Sequence, residues 1–374
     1  MSWCQQTSAE LEGDVATDEI FIRNIWYVAA HSEEVTEQPL GRTYLNEPVV
    51  LYRTEGGDVV ALDDRCPHRF APLHRGKVVG DFIRCPYHGL QFDRSGACVQ
   101  MPLGGVAPPR ACVRRYPITE RYGFIWIWMG EESRADPDLI PDFSDRCDPQ
   151  IGWFNGTLYC RANYQLLIDN LLDLTHAEFL HPFLSSDGWA GRNKQTVTQN
   201  NGEITIVNVA EEDNILPIMR RFKPQMGAIG TTIQTERWNA PGLIRLSVDF
   251  WCGGDSIIIP SAHMVTPETA TTTHYFVRGG QTLDPENAEL TEANRIGVLA
   301  VFQNEDIPML EAQQRYLGER DLMDSHPAVL PSDHGAVRAR RAIAGLIRKE
   351  REGKMHAQSH GAFGDGANPH NRAI

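Results

Sequence analysis

The sequence predicts an α+β protein with a β-rich N-terminal domain and a mixed C-terminal domain. Its 374 residues exceed one small core, since a typical domain has about 150 residues. Short runs of aromatic and β-branched residues between turn formers dominate the first part, whereas long stretches of helix formers occur only later. The charged, proline-containing segment at 131–143 separates the two parts, and we place the boundary near residue 135.

The N-terminal domain is predicted over residues 20–135, after a polar, flexible segment at 1–19. The run "TYLNEPVVLYRTEGGDVVALDD" is typical of two short strands around a Gly-Gly turn. The run "YGFIWIWMG" at 122–130 predicts a buried strand, because aromatic and β-branched residues favour strands. A segment rich in Pro and Gly at 66–93 predicts loops between short strands. We therefore expect an all-β domain.

The C-terminal domain is predicted over residues 136–352, followed by a disordered tail at 353–374 that lacks apolar periodicity. Pro308 lies inside a helical stretch and predicts a kink. The predicted elements are a helix at 163–180, several strands within 203–278, a mostly helical stretch at 284–317 and an amphipathic helix at 337–352.

Composition and charge exclude several classes of partner. The formal net charge is −14, so a nucleic acid is not expected as a partner, because a phosphate-binding surface needs clustered basic residues. No stretch approaches the roughly 20 apolar residues that span a membrane. The N-terminus lacks the basic flank and apolar run of a signal peptide. We therefore expect a cytoplasmic protein without a membrane partner.

Two cysteines and two histidines alternate in the loop-rich segment. Cys66-Pro67-His68 precedes Cys85-Pro86-Tyr87-His88, so each half supplies one thiolate and one imidazole. Zinc accepts two Cys and two His, although zinc modules usually group Cys with Cys and His with His. Alternation instead favours a [2Fe–2S] cluster in which one iron takes both Cys and the other takes both His. The cofactor-binding residues are therefore predicted to be Cys66, His68, Cys85 and His88.

A second cluster of polar residues lies in "IDNLLDLTHAEFLHP". On an ideal helix Asn170, Asp173 and His176 share one face. Pro182 disfavours helical backbone at the preceding residue, so we expect the helix to end near Leu180 with His181 just beyond it. Two histidines then need one carboxylate to complete the facial triad that is typical of non-heme Fe(II) oxygenases. Spacing alone does not identify that carboxylate.

The two motifs together resemble Rieske non-heme iron oxygenases, most closely the group of vanillate and dicamba O-demethylases. This resemblance covers about residues 20–320 and implies a Rieske domain followed by a helix-grip (START/Bet v 1-like) catalytic domain with an antiparallel sheet and long helices. It also implies a [2Fe–2S] Rieske cluster and a mononuclear Fe(II). Within "VFQNEDIPMLEAQQ" it favours Asp306 as the third iron ligand beside His176 and His181, with Glu305 as the rival.

The resemblance also implies roles for three further residues. Asp173 would form hydrogen bonds to His176 and to His88 of the partner subunit in a homotrimer. This would give a short route for electron transfer between the two centres. Asn170 would form hydrogen bonds near the iron, and His263 would bind a polar group of the substrate.

The function implied is that of a terminal oxygenase. Electrons from NAD(P)H would arrive through a separate reductase or ferredoxin, since the chain shows no dinucleotide-binding fingerprint. We expect monooxygenation of an aromatic substrate with O- or N-dealkylation. The alternatives are ring hydroxylation, including cis-dihydroxylation, and a non-catalytic Rieske protein that transfers electrons and binds ligands. Residues 65–88 carry a charge of 5 − 1 = +4, which would attract an acidic electron donor.

Overall fold

The computed structural model describes residues 20–102, 104–181 and 183–361, and of residues 221, 222 and 354–361 it describes the backbone only. The predicted flexible segment at 1–19 and the end of the predicted tail at 362–374 lie outside the described residues. None of the helices in the described part of the chain is long and apolar enough to cross a membrane.

Short strands build three small antiparallel sheets in the first part of the chain. Their orders are β1-β10-β9, β2-β3-β4 and β5-β6-β7-β8. Every residue of β10 is buried, which agrees with the buried strand predicted from its aromatic content. The strands are β1 Trp26–His31, β2 Leu40–Tyr44, β3 Glu47–Arg53, β4 Val59–Asp63, β5 Lys77–Val79, β6 Phe82–Arg84, β7 Gln91–Phe92, β8 Cys98–Gln100, β9 Ile118–Arg121 and β10 Phe124–Trp128.

One seven-stranded antiparallel sheet forms the centre of the second part. Its order is β11-β17-β16-β15-β14-β13-β12, so the strand that enters the domain first pairs with the strand that leaves it last. One face of the sheet is buried beneath the helices, as the alternation of buried residues along β13 and β14 shows. The strands are β11 Gly152–Cys160, β12 Lys194–Asn200, β13 Glu203–Asn214, β14 Ile229–Asn239, β15 Leu243–Cys252, β16 Asp255–Thr269 and β17 Thr272–Gln281.

Helices cover the buried face of this sheet. The stretch predicted to be mostly helical at 284–317 is helical from Ala288 to Leu317, and it contains a π-helical turn at Phe302–Asp306, just before Pro308. The α-helices are α1 Tyr164–Leu172, α2 Ala177–Leu180, α3 Trp189–Arg192, α4 Pro217–Phe222, α5 Ala288–Val301, α6 Ile307–Leu317 and α7 His334–Gly361.

The single helix predicted at 163–180 is interrupted, so the prediction that three polar residues share one helical face was wrong. Helix α1 ends at Leu172, and Asp173 has an extended backbone with φ −133°. A 3-10 turn follows at Leu174–His176 before α2 begins. The side chain of Asp173 accepts hydrogen bonds from the backbone N–H and the hydroxyl of Thr175, which replaces the helical hydrogen bonding at this point.

The last helix is longer than the sequence pattern predicted. It begins at His334 and continues to Gly361, so residues 353–361 of the predicted tail are helical. Lys, Met, Ala and Gln in this part have high helix propensity, which favours a helix although the segment lacks apolar periodicity.

The two parts of the chain share one hydrophobic core. Tyr27 and Ile125 from the first part belong to the same buried cluster as Tyr164 and Ile244 from the second. Hydrogen bonds also cross between the parts, for example from the Thr266 hydroxyl to the backbone oxygen of Val28 at 2.7 Å. The small N-terminal sheets and the large sheet are therefore packed against each other within one chain.

Candidate functional site

The two Cys-His loops have the same backbone hydrogen bonding. The carbonyl of Cys66 accepts from Phe70 N at 2.8 Å, and the carbonyl of Cys85 accepts from Gly89 N at 3.1 Å. The N–H groups of the same cysteines bond to the carbonyls of Ala71 and Leu90, so each loop is closed at equivalent positions. Phe70 and Gly89 both have positive φ, which only glycine adopts without strain.

These loops present two different layers of ligand atoms. Cys66 and Cys85 are buried, whereas His68 and His88 are exposed, with their ring centroids 4.5 Å apart. Burial raises the pKa of the Cys66 thiol to about 11, which disfavours the thiolate unless a cation compensates it. Two buried thiols beneath two paired imidazoles fit a cluster whose inner iron takes sulfur and whose outer iron takes nitrogen.

The structure brings His176, His181 and Asp306 together. One potential ligand atom from each of these side chains lies within 4.8 Å of the other two, and they are the one such group of at least three acidic, His or Cys side chains in the described residues. Asp306 Oδ1 lies 3.0 Å from His181 Nε2 and 3.4 Å from His176 Nε2. Two imidazoles and one carboxylate around a common point are the donor set of non-heme iron sites.

Both histidines turn Nε2 toward Asp306 and Nδ1 toward a separate acceptor. The Nδ1–H of His176 donates to the backbone oxygen of Asp173 at 2.6 Å, and the Nδ1–H of His181 donates to Glu305 Oε2 at 2.7 Å. With the Nδ1 protons held by these acceptors, the Nε2 atoms are the ones that a metal ion beside Asp306 would bind. His181 directly follows Leu180, the last residue of α2, which confirms the predicted helix end.

The environment of Asp306 suits a cation. Burial acts to raise its pKa, but hydrogen bonds from His176, His181 and Asn170 outweigh burial and lower the pKa of Asp306 to about 2. Its second oxygen, Oδ2, is buried and has no hydrogen-bond partner among the described residues. A buried, ionised carboxylate with a free oxygen is costly without a positive partner, so the three residues fit a divalent metal ion.

The π-helical turn places two acids on opposite sides of one imidazole. Asp306 is its last residue and is buried, while Glu305 is partly exposed and reaches the other ring nitrogen of His181. The geometry thus favours Asp306 as the ligand and gives Glu305, the rival in the sequence interpretation, the role of orienting His181. Turns of this kind often occur at functional sites.

The two residues predicted to assist the iron lie beside it in different ways. Asn170 Nδ2 donates to Asp306 Oδ1 at 3.0 Å and lies 3.4 Å from His176 Nε2. Asp173 reaches His176 through its backbone oxygen, whereas its carboxylate binds Thr175. The link expected between the Asp173 carboxylate and His176 is therefore absent in this chain, and the backbone provides it instead.

His263 is buried on β16, and both of its ring nitrogens have protein partners. Nε2 lies 2.8 Å from the Ser261 hydroxyl, and Nδ1 lies 2.7 Å from the Tyr275 hydroxyl. Burial lowers the pKa of His263 to about 3, so the ring is neutral. Its ring centroid is 5.7 Å from that of Phe302 in the π-helical turn, which places it between the sheet and the Asp306 segment. Sequence analysis missed Ser261, Tyr275 and Phe302, because none belongs to a recognisable motif.

Comparison with known families agrees with both centres. Residues 25–117 match the Rieske [2Fe-2S] domain, and residues 160–349 match the vanillate O-demethylase oxygenase C-terminal domain. The first range contains the two Cys-His loops, and the second contains the triad.

Individual relatives match along most of the chain. The toluene-4-sulfonate monooxygenase system iron-sulfur subunit of Comamonas testosteroni is 36% identical, over 89% of this chain and 99% of the relative. The oxygenase component of dicamba O-demethylase from Stenotrophomonas maltophilia is 37% identical, over 88% of this chain and 99% of the relative. The crystal structure of dicamba monooxygenase bound to 3,6-dichlorosalicylic acid has a TM-score of 0.82 at 36% identity, over 89% of this chain and 99% of the other.

Proposed function

The chain belongs to the Rieske non-heme iron oxygenases whose catalytic half is the vanillate O-demethylase oxygenase C-terminal domain, and we propose that it dealkylates an aromatic substrate. Membership confirms the predicted family, the α+β fold and the enzyme class, which is that of an oxidoreductase. It also confirms the two predicted cofactors, a Rieske [2Fe–2S] cluster and a mononuclear iron. The protein is thus the oxygenase component of a Rieske monooxygenase system.

The observation that carries the proposal is the triad of His176, His181 and Asp306. These three residues would hold an Fe(II) ion, which would supply positions open to O2 next to the substrate. The cluster would be held by Cys66 and Cys85 from below and by His68 and His88 from the exposed side. The residue roles in both centres are part of this proposal.

The residues around the triad hold it in one geometry. The carbonyl of Asp173 and the carboxylate of Glu305 accept the Nδ1 protons of the two histidines, which fixes both rings. Asn170 donates to Asp306 Oδ1 and so limits the rotation of that carboxylate. In the proposed enzyme these contacts keep the ligands in place while substrate and product exchange.

Dealkylation is favoured by what related proteins are named for. The relatives include the vanillate O-demethylase oxygenase subunit from Pseudomonas and the chloroacetanilide N-alkylformylase of Rhizorhabdus wittichii, 33% identical in both cases. Hydroxylation of a carbon bonded to oxygen or nitrogen gives an unstable product that releases an aldehyde. We propose this outcome for the present chain, with NAD(P)H as the ultimate electron source through a separate reductase or ferredoxin.

The electron donor is proposed to dock at the basic surface around the cluster loops. Arg69, Arg75 and Lys77 are exposed there, and their charge contrasts with the negative charge of the whole chain. Arg65 contributes less, because its guanidinium binds Asp63 through two hydrogen bonds. An acidic ferredoxin-type partner would be steered to this surface.

A homotrimer is proposed in which the cluster of one subunit faces the triad of the next. Phe179 and Phe183 flank the triad histidines in sequence and are 79% and 72% exposed, and Phe70 and Tyr87 are exposed on the two Cys-His loops. Exposed aromatic side chains at both centres are typical of surfaces covered by another chain. Asp173, partly exposed, would then meet His88 of the partner subunit.

Product analysis tests the proposal. The iron-loaded protein, a surrogate reductase and NADH would be combined with alkoxy- and N-alkyl-aromatic compounds, and aldehyde, cis-diol and peroxide would be quantified. Aldehyde release in stoichiometric proportion to NADH supports dealkylation. A cis-diol would point to ring dihydroxylation, and peroxide without oxidised product for every compound would contradict the proposed substrate class.

A further inference from the structure

A strip of buried polar side chains lies on the inner face of the large sheet. Gln234 and Glu236 on β14 point inward, since both are buried while the residues between and beside them are not. Asn208 on β13 is paired with Gln234, so the side chains of the two amides share that face. These three side chains, Asn208, Gln234 and Glu236, are here called the polar strip.

Three oxygens of the polar strip are left unpaired. Asn208 Oδ1, Gln234 Oε1 and Glu236 Oε2 are buried without a hydrogen-bond partner among the described residues. The one contact within the strip is a long hydrogen bond from Asn208 Nδ2 to Glu236 Oε1, at 3.4 Å. Burying three oxygens without hydrogen bonds lowers the stability of the folded chain. Buried polar atoms without partners often mark a binding or catalytic site, where a ligand supplies the missing hydrogen bonds.

The polar strip continues toward the proposed iron site. Glu236 pairs with Leu246 on β15, and Leu246 pairs with Ser261 on β16, so the three side chains form one row across the sheet. Leu246 and Ser261 lie on the same face as Glu236 and remain partly accessible. The Ser261 hydroxyl contacts His263, whose ring packs against Phe302 in the turn that ends at Asp306.

The inner face of the sheet lacks the positively charged side chains that a binding site for an acidic substrate would be expected to have. The inward-facing residues of β14 here are Thr232, Gln234, Glu236 and Trp238. Among them and their partners on β13, β15 and β16, Glu236 is the one acid and none is Lys or Arg. Asp213 accepts from the Thr232 hydroxyl, and Arg146 donates to the backbone oxygens of Ser261 and Leu246. Arg192 reaches the end of the sheet, but it is committed to Asp213 at 2.7 Å. A substrate carboxylate placed beside Glu236 would be buried with no Lys or Arg side chain of these inward-facing positions to compensate its charge.

We infer that the substrate presents N–H or O–H donors to Asn208, Gln234 and Glu236 and carries no carboxylate or sulfonate. This inference rests on the proposed function, because it assumes that the inner face of the sheet is where the substrate binds. Burial raises the pKa of Glu236 to about 8, so at neutral pH the carboxyl is mostly protonated and can accept from an amide or a phenol through its carbonyl oxygen without burying a charge. Amides, amines and phenols bring donors to these oxygens, whereas a carboxylate or a sulfonate brings none.

The test is a binding measurement with two matched ligands. Para-methoxybenzamide and para-methoxybenzoate have the same ring, the same methoxy group and nearly the same shape, and they differ in donors and charge. Calorimetric titration of the iron-loaded protein is expected to give a Kd for the amide at least about tenfold lower than for the acid. Equal affinities, tighter binding of the acid or no binding of the amide would overturn the inference.

Variants test whether the preference for the amide arises from the polar strip. Glu236→Leu is expected to weaken amide binding by at least about tenfold, and Glu236→Gln is expected to narrow the difference between amide and acid. Asp249→Asn is the matched control, because Asp249 lies on β15 with its side chain on the opposite face. Cluster absorbance and circular dichroism verify that each variant is folded. If both Glu236 variants kept the same ratio of Kd values for the amide and the acid, the preference would not arise from the polar strip, and the inference would be overturned.

Turnover of the same ligands separates this inference from the proposed function. Preferential binding of the amide without formaldehyde release supports the selectivity and counts against the proposed reaction. Formaldehyde released mainly from the acid supports the reaction and overturns the selectivity.

Discussion

The Nε2 atom of His181 lies 3.0 Å from Oδ1 of Asp306, although 125 residues separate them in the sequence. Neither residue reaches this position through a regular α-helix. His181 follows the end of α2, and Asp306 ends a π-helical turn. The proposed iron site is therefore built where two helices depart from regular geometry, and its completeness can be tested residue by residue.

Asp306→Ala should remove the mononuclear iron and leave the cluster intact. The variant loses the one buried carboxylate of the triad, while the Cys-His loops lie in a different domain. We expect iron content to fall by about one equivalent per chain with unchanged visible absorbance of the Rieske cluster. Retention of all the iron would refute the assignment of Asp306.

Glu305→Ala should weaken iron binding without abolishing it. Glu305 accepts the Nδ1 proton of His181, and loss of such an outer partner typically costs roughly 10–100-fold in metal affinity. Glu305→Gln keeps an acceptor oxygen, so its metal affinity should fall much less than that of Glu305→Ala. Competition with a chelator measures both affinities, and an equal loss in the two variants would mean that charge, rather than orientation of His181, is what Glu305 supplies.

Asp173→Asn should keep both metal centres and lose nearly all turnover. Asparagine can still cap the turn at Thr175, and the backbone oxygen that holds His176 is unaffected. Only the negative charge proposed to face His88 of the partner subunit is removed. Single-turnover oxidation of the reduced cluster reports the transfer step directly, and a wild-type rate would exclude the bridging role.

The basic surface around the cluster should make turnover sensitive to salt. If an acidic donor docks there, raising ionic strength from about 0.01 M to 0.15 M shortens the Debye length from about 30 Å to about 8 Å and should slow NADH-coupled turnover. Arg69→Glu, an exposed change, should reduce the rate at low salt more than at high salt. Turnover driven by a small chemical reductant provides the control, since it needs no protein docking.

Glu236 should make stability depend on pH. Its pKa is raised from 4.5 to about 8 in the folded chain, so the folded state holds a proton that the unfolded state has lost. The free energy of unfolding should therefore decrease as pH rises from about 4.5 to 8. Glu236→Gln lacks this dependence, which is worth about 4 kcal/mol between pH 5 and pH 8, so over that range its Tm should fall by about 5 °C less than that of the unchanged protein. If the Tm of Glu236→Gln and the Tm of the unchanged protein fell equally with pH, the raised pKa of Glu236 would be contradicted.

The sequence predicted what depends on local spacing and missed what depends on tertiary contacts. The four cluster ligands lie within one short segment, and their alternation was sufficient to propose the cofactor. His176 and His181 are likewise neighbours in sequence. The break at Asp173 was missed, although an acid two residues before Thr175 is a recognisable capping pattern.

Long-range partners could not be predicted from spacing. The contact between Glu305 and His181, and the burial of His263 between Ser261 and Tyr275, arise from packing of the helices on the sheet. The choice between Glu305 and Asp306 needed a resemblance to known enzymes. Only the folded chain shows that one is buried while the other is partly exposed.

The π-helical turn constrains how this chain can vary. Such a turn contains one residue more than an α-helical turn, and each residue of a helix rotates the chain by about 100°. Deleting a single position between 302 and 304 would restore ordinary winding and swing both acids away from His181. Length changes should therefore be tolerated in surface loops of this protein but not in these few positions, where the count of residues matters as much as their identity.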